Sequence, residues 1–132
     1  MSYSLMLLAD PGTERPRVLR VLSGAPDVRP DSGVETRFWL TTPHGEAQIN
    51  IGSKDPVESV HLELPRIEAP LIEAATRRAL ELGAQLEMRV EDVQWGHEIT
   101  AERLPELRSY WASLKPPTLE PPTRSRAWWK PW

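Results

Sequence analysis

This sequence predicts a single α+β domain. It has a mainly antiparallel sheet of four or five strands, with two or three helices packed on one face and an extended tail rich in proline and tryptophan. Three observations carry the prediction. Between Glu35 and Pro65, apolar and polar residues alternate at period two through three segments separated by turn residues, which marks a meander with one buried face. Two later stretches repeat apolar residues every three or four positions, which marks amphipathic helices. From Lys115 onward neither pattern holds: residues 115–132 contain five of the chain's fourteen prolines and three of its six tryptophans. Such a composition favours an extended, polyproline-like run. The chain therefore divides into an α+β domain over 1–114 and a tail over 115–132.

The elements follow in order. The opening "MSYSLMLLADPG" is apolar only over Leu5 to Ala9, with no basic residue ahead of it. That is too short for a signal peptide or a membrane span and reads as a first strand. "TERPRVLRVLSGAPD" has a capping-type Thr13, apolar Val18, Leu19, Val21 and Leu22, and a stop at Gly24, so a short helix is expected. "VRPDSGVE" reads as a loop because Pro30, Asp31 and Gly33 are turn residues. Next come Phe38 to Thr42, the turn "PHGE", Ala47 to Ile51, "GSKDP", and Val57 to Leu64, which read as three antiparallel strands. Ala47, Ile49 and Ile51 share one face, with Gln48 and Asn50 on the other; Val60, Leu62 and Leu64 alternate with Ser59, His61 and Glu63.

"APLIEAATRRALELGA" is punctuated as a helix, with Pro70 near its first position and Gly83 just past its end. Its stripe of Ile72, Ala75, Ala79 and Leu82 is expected to cover the apolar sheet face. Leu86, Met88 and Val90 then alternate with Glu87, Arg89 and Glu91, which gives a further strand. "TAERLPELRSYWASL" closes the domain as a helix with the stripe Leu104, Leu107, Trp111 and Leu114, Pro105 falling in its first turn.

Composition narrows the function. There are no cysteines, which excludes a disulfide framework and thiolate chemistry and favours the cytoplasm. The net charge of −3 is uneven: residues 1–114 carry 12 basic and 18 acidic side chains, whereas the tail sets Lys115, Arg124, Arg126 and Lys130 against Glu120. An acidic body argues against nucleic-acid binding and suits a basic protein partner. His44, His61 and His97 show no metal-ligand spacing, so no metal or cofactor is expected. "GSK" at 52–54 lacks the spacing of a phosphate loop, and no serine sits in a nucleophile elbow. "WGHE" places His97 beside Glu98, but neighbours on an extended segment point apart, and the stretch reads as an exposed loop.

The polar sheet face holds the candidate site. By parity, Arg37, Trp39, Gln48, Asn50, His61, Glu63, Arg89 and Glu91 point the same way, and the bulk of Trp39 calls for cover. The tail's Trp128, Trp129 and Trp132 can supply it by folding back on the chain or on a dimer mate; anchoring a partner is the next reading, a membrane surface the third, and stacking on single-stranded nucleic acid an outside option that the acidic body counts against. The residues expected to bind a partner are therefore Trp39, His61, Glu63, Arg89, Glu91, Trp128, Trp129 and Trp132. The alternative is a small enzyme or ligand-binding domain that uses the polar face around His61 and Glu63.

In the order of their elements, "MSYSL", the sheet from "TRFWL" to "VHLELP" and the helix "LIEAATRRALELG" resemble small bacterial proteins of the polymorphic-toxin immunity type, over residues 1–114. The resemblance implies a non-catalytic protein that occludes a toxin with an acidic surface. It assigns no individual site residue, and the tail is not part of the pattern.

Overall fold

Strand β1 (Tyr3–Thr13) lies inside the sheet, with neighbours on both sides, and the other elements are built outward from it. The computed structural model describes residues 2–113, so the whole tail lies outside the described residues. Helix α1 (Arg15–Gly24) leads to β2 (Val28–Pro30), β3 (Arg37–Thr42), β4 (Gly45–Asn50) and β5 (Val57–Leu64), a meander whose last strand pairs with β1. Helix α2 (Ala69–Leu86) then carries the chain over the sheet to β6 (Arg89–Asp92) on the other side of β1, followed by β7 (His97–Ile99), a 3-10 turn and α3 (Leu104–Ser113). The order is β2-β3-β4-β5-β1-β6-β7, antiparallel throughout.

The class is α+β, but the sheet has seven strands where four or five were expected. The additional ones are β2, read from sequence as a loop, and β7, read as part of an exposed loop. Each is three residues long and sits at a sheet edge, which is too short for an alternation to declare itself. Their pairing is imposed by the neighbouring strand: Val28 lies opposite Leu40, and Ile99 opposite Val90.

The inward residues of the strands and the stripes of the helices form one core. Tyr3, Leu5 and Leu7 of β1, Ile49 of β4 and Leu62 and Leu64 of β5 are at most 1 % exposed, as are Leu71, Ile72, Ala75, Ala79 and Leu82 of α2. Two local expectations are corrected. Thr13 does not cap α1; it ends β1, and its hydroxyl donates to the Leu86 carbonyl at 2.8 Å, tying β1 to the end of α2. Gly83 does not stop α2, which runs a further turn to Leu86 and ends on Glu87 in the left-handed conformation. Gly83 is needed for a different reason. The returning chain lies so close that a Cβ at Gly83 would sit 2.7 Å from the Met88 carbonyl oxygen, and the Met88 N–H donates to the Gly83 carbonyl at 2.8 Å.

A buried polar network joins the C-terminal helix to the sheet. The Tyr3 hydroxyl donates to the Asp92 carboxylate and accepts from Trp111 Nε1 at 3.2 Å, while the other Asp92 oxygen accepts the Trp95 N–H at 2.9 Å. Burial, and then the carboxylate, push the Tyr3 hydroxyl far above the usual tyrosine range. On the surface above the core, Arg77 and Arg108 both grip Glu73, linking α2 to α3. Arg78 holds Asp27 through two nitrogens at 2.5 and 2.8 Å, linking α2 to the turn before β2. No helix among the described residues is long and apolar enough to cross a membrane.

Candidate functional site

Apart from Val57, which pairs with Thr13 beyond an irregularity in the β1–β5 register, the buried strand residues share the parity that faces the helices, so the alternate residues define a second, open face. The strand register arranges them in rows across the sheet. One row runs Arg29, Trp39, Gln48, Glu63, Ser4, and the next runs Arg37, Asn50, His61, Met6, Glu91, Glu98. A third, shorter row sets Ser59 beside Leu8 and Leu8 beside Arg89. Trp39, His61, Glu63, Arg89 and Glu91 therefore share this face, as the alternation predicted. Trp128, Trp129 and Trp132 lie outside the described residues.

Sequence reasoning missed Met6 and Leu8. Tyr3, Leu5 and Leu7 turn into the core, so Ser4, Met6 and Leu8 turn outward and are half-buried by their neighbours. The centre of a face read as polar is thus apolar. A signal was present: Leu5 to Leu8 is an unbroken apolar run in a sheet whose other strands alternate, and an unbroken run puts apolar side chains on both faces. Met6 and Leu8 line a cleft of about 390 Å³, with Asp10, Glu58, Ser59 and Arg89 around it.

The charges on the face are zoned. At the β2–β3 end stand Arg29 and Arg37, with Glu46 paired to Arg29 at 3.1 Å. Toward β6 and β7 stand Glu91 and Glu98, side by side across the ladder, with Arg89 bonded to Glu91 at 3.3 Å. The acidic surface expected from composition thus occupies one half of the face, and an arginine–tryptophan patch occupies the other.

Trp39 finds part of its cover within its own hairpin. Its indole N–H donates to Asp31 Oδ1 at 2.9 Å, and the Arg29 guanidinium lies 5.8 Å from the ring centroid. Asp31 also accepts the Gly33 and Val34 N–H groups through its second oxygen. The Trp39 bond, followed by those two backbone bonds, holds the Asp31 carboxyl below the usual aspartate range. The indole is therefore fixed in orientation by a turn that the sequence marks with "PDSG".

His61 and Glu63 stand two residues apart on β5 and face the same way, but neither lines the clefts of about 540, 430, 390 and 330 Å³ among the described residues. A cleft of about 540 Å³ lies on the helix side between α2 and α3; its one carboxylate, Glu73, is engaged by Arg77 and Arg108. His44 is in the β3–β4 turn, and His97 begins β7 opposite Asp92, with its ring 4.8 Å from that of Trp95. Glu98 falls opposite Glu91, on the other side of the ladder from His97, so these neighbours do not form an acid–base pair. The Tyr3, Asp92 and Trp111 network is sealed, at 0, 0 and 2 % exposure, and holds structure rather than substrate.

Comparison with protein-family models, with curated proteins and with solved structures gives no match for this chain.

Proposed function

We propose that this protein binds another protein, without catalysis, through the open face of its sheet, and that it acts as a cytoplasmic protein of the immunity type that occludes a bacterial toxin. One observation carries the reading: the open face has an apolar centre, Met6 and Leu8, bordered by charged side chains, with an oriented tryptophan to one side. Protein interfaces have this anatomy, with methionine, tryptophan and arginine enriched at the anchors and a charged rim around a dry centre. The chemistry of the face points the same way. His61 and the carboxylates of Glu63, Glu91 and Glu98 are spread over three strands, whereas a catalytic site gathers its groups in a concavity. The acidic half, with Glu63, Glu91 and Glu98, suits a basic partner.

Photo-crosslinking in the native host tests the face. A photoreactive residue at Ser59 is expected to capture a partner, and the same residue at Ala84, exposed on α2, is expected not to. Growth protection against a toxin encoded beside this chain then tests the immunity role. Capture from Ala84 alone would move the interface to the helix side and overturn the proposal.

A further inference from the structure

The motif that the fold leaves unexplained is the tail, and the apolar spot that the open face covers only in part is Met6–Leu8. We infer that the basic, tryptophan-rich end, Arg124 to Trp132, docks on that spot in the same molecule. The inference does not depend on the proposed partner, because it concerns two parts of this chain.

Chemistry supports the match. Residues 124–132 offer Trp128, Trp129 and Trp132 together with Arg124, Arg126 and Lys130, and no acidic side chain. The spot offers Met6 and Leu8 with Asp10 and Glu58 at its rim, and Glu91 lies beside Met6. Its one cation, Arg89, is bonded to Glu91. Indoles on the apolar centre would leave the tail's cations facing carboxylates. A tryptophan buries roughly 150–250 Å², so one or two of the three are enough to cover a cleft of this size. The other aromatic patch on the face is a poorer fit, because Trp39 already has Asp31 at its nitrogen and Arg29 over its ring.

Reach supports it as well. Helix α3 ends at Ser113, and Tyr110 packs beside Trp95 of the β6–β7 turn, with centroids 6.5 Å apart. The last described residues therefore lie near the β7 edge, and β1 is the second strand inward from β7. Crossing two strands takes about 10 Å, descending from the helix layer about 10 Å, and moving along β1 from Tyr3, which Trp111 of α3 touches, to Met6 about 10 Å more. Residues 114–123 span roughly 31 Å when extended at about 3.1 Å each. A tether of this length gives a local concentration on the order of millimolar, so even a weak contact is populated.

Because the chain contains no cysteine, disulfide trapping tests the inference directly. Ala127→Cys is combined either with Ser59→Cys, which is exposed and opposite Leu8, or with Ala84→Cys, which is exposed on the helix side. In dilute full-length protein, the Ser59 pair is expected to close several-fold faster within one molecule, and high salt is expected to narrow the difference. Equal rates, or faster closure to Ala84, would overturn the inference. A product of twice the chain's mass would also overturn it, by making a second copy the recipient of the tail. No partner is present in this measurement, so its outcome and that of the crosslinking experiment are read separately.

Discussion

The two faces of the sheet are made from the same strands, residue by residue in alternation, and they differ in almost every physical respect. The covered face is apolar apart from Asp92 and the Tyr3 hydroxyl, which are bonded to each other, and Thr13, which donates to the Leu86 carbonyl. The open face mixes an apolar centre, a fixed tryptophan and separated patches of opposite charge. On the covered face a residue is constrained by volume, because the helices leave no room to change it. On the open face a residue is constrained only by what approaches from outside. Stability should therefore be concentrated on one face and recognition on the other.

Adjacent residues of β1 give the largest test of that division. Leu7 is 1 % exposed against the helices, whereas Leu8 faces outward. Leu7→Ala is expected to cost about 3 kcal/mol in chemical denaturation, because the cavity cannot collapse around it. Leu8→Ala is expected to cost less than about 1 kcal/mol and yet to weaken partner capture. Equal losses of stability would mean that the open face is covered in solution far more completely than the described residues cover it.

The buried network comes next. Tyr3→Phe leaves Trp111 Nε1 and one Asp92 oxygen without their partner inside the core. An expected loss of about 2 kcal/mol follows from stranding buried polar groups. Near-ultraviolet circular dichroism should change with it, since Trp111 loses its fixed contact. A stability unchanged from wild type would show that α3 is held by Leu104 and Leu107 packing alone.

These two tests probe features that differed in how far the sequence revealed them. Leu62 and Ile49 were legible as core because β4 alternates over its length and β5 from Ser59 to Leu64, long enough for the period to show. Trp39, His61 and Glu63 were placed on one face by the same alternation. The edge strands were not legible, because three residues carry no period and their partners lie elsewhere in the chain. Nor was the Tyr3–Asp92 bond, which spans 89 positions and looks in sequence like an aromatic at a strand start and an acid at a strand end. Gly83 misled because glycine commonly ends helices; here it makes room for a returning backbone, a constraint that only the tertiary path imposes.

A smaller effect is expected where α2 meets α3 at the surface. Hydrogen bonds from Arg108, and then from Arg77, hold the Glu73 carboxyl below the usual glutamate range. A depressed folded value means that the stabilisation is fully present above the ordinary glutamate pKa of about 4.3, and is lost as pH falls through the folded value. Arg108→Ala is expected to cost about 0.5 kcal/mol at neutral pH, since the pair is open to solvent. Its unfolding curve should converge with that of wild type on acidification below the glutamate range. A gap that persists at low pH would assign the effect of Arg108 to packing instead of charge.

The smallest effect on stability should fall on the open face, where the effect on recognition should be largest. Glu91 pairs with Arg89 at 3.3 Å and stands opposite Glu98, with both members of the pair exposed. Glu91→Arg is expected to change unfolding by no more than about 0.5 kcal/mol, the usual range for a surface site, because relief from Glu98 offsets the lost pair. Against a basic partner, the same change removes one negative charge and adds a positive one within the acidic half, so association should slow markedly. Exposed charges are screened beyond about 10 Å at 0.1 M salt, so the difference between variant and wild type should shrink as salt rises. Arg37, at the other end of the same row, supplies the control: Arg37→Glu adds negative charge and should not slow a basic partner. If both variants slow association equally, with no dependence on salt, the zoning of charge plays no part in recognition, and the apolar centre alone would have to account for it.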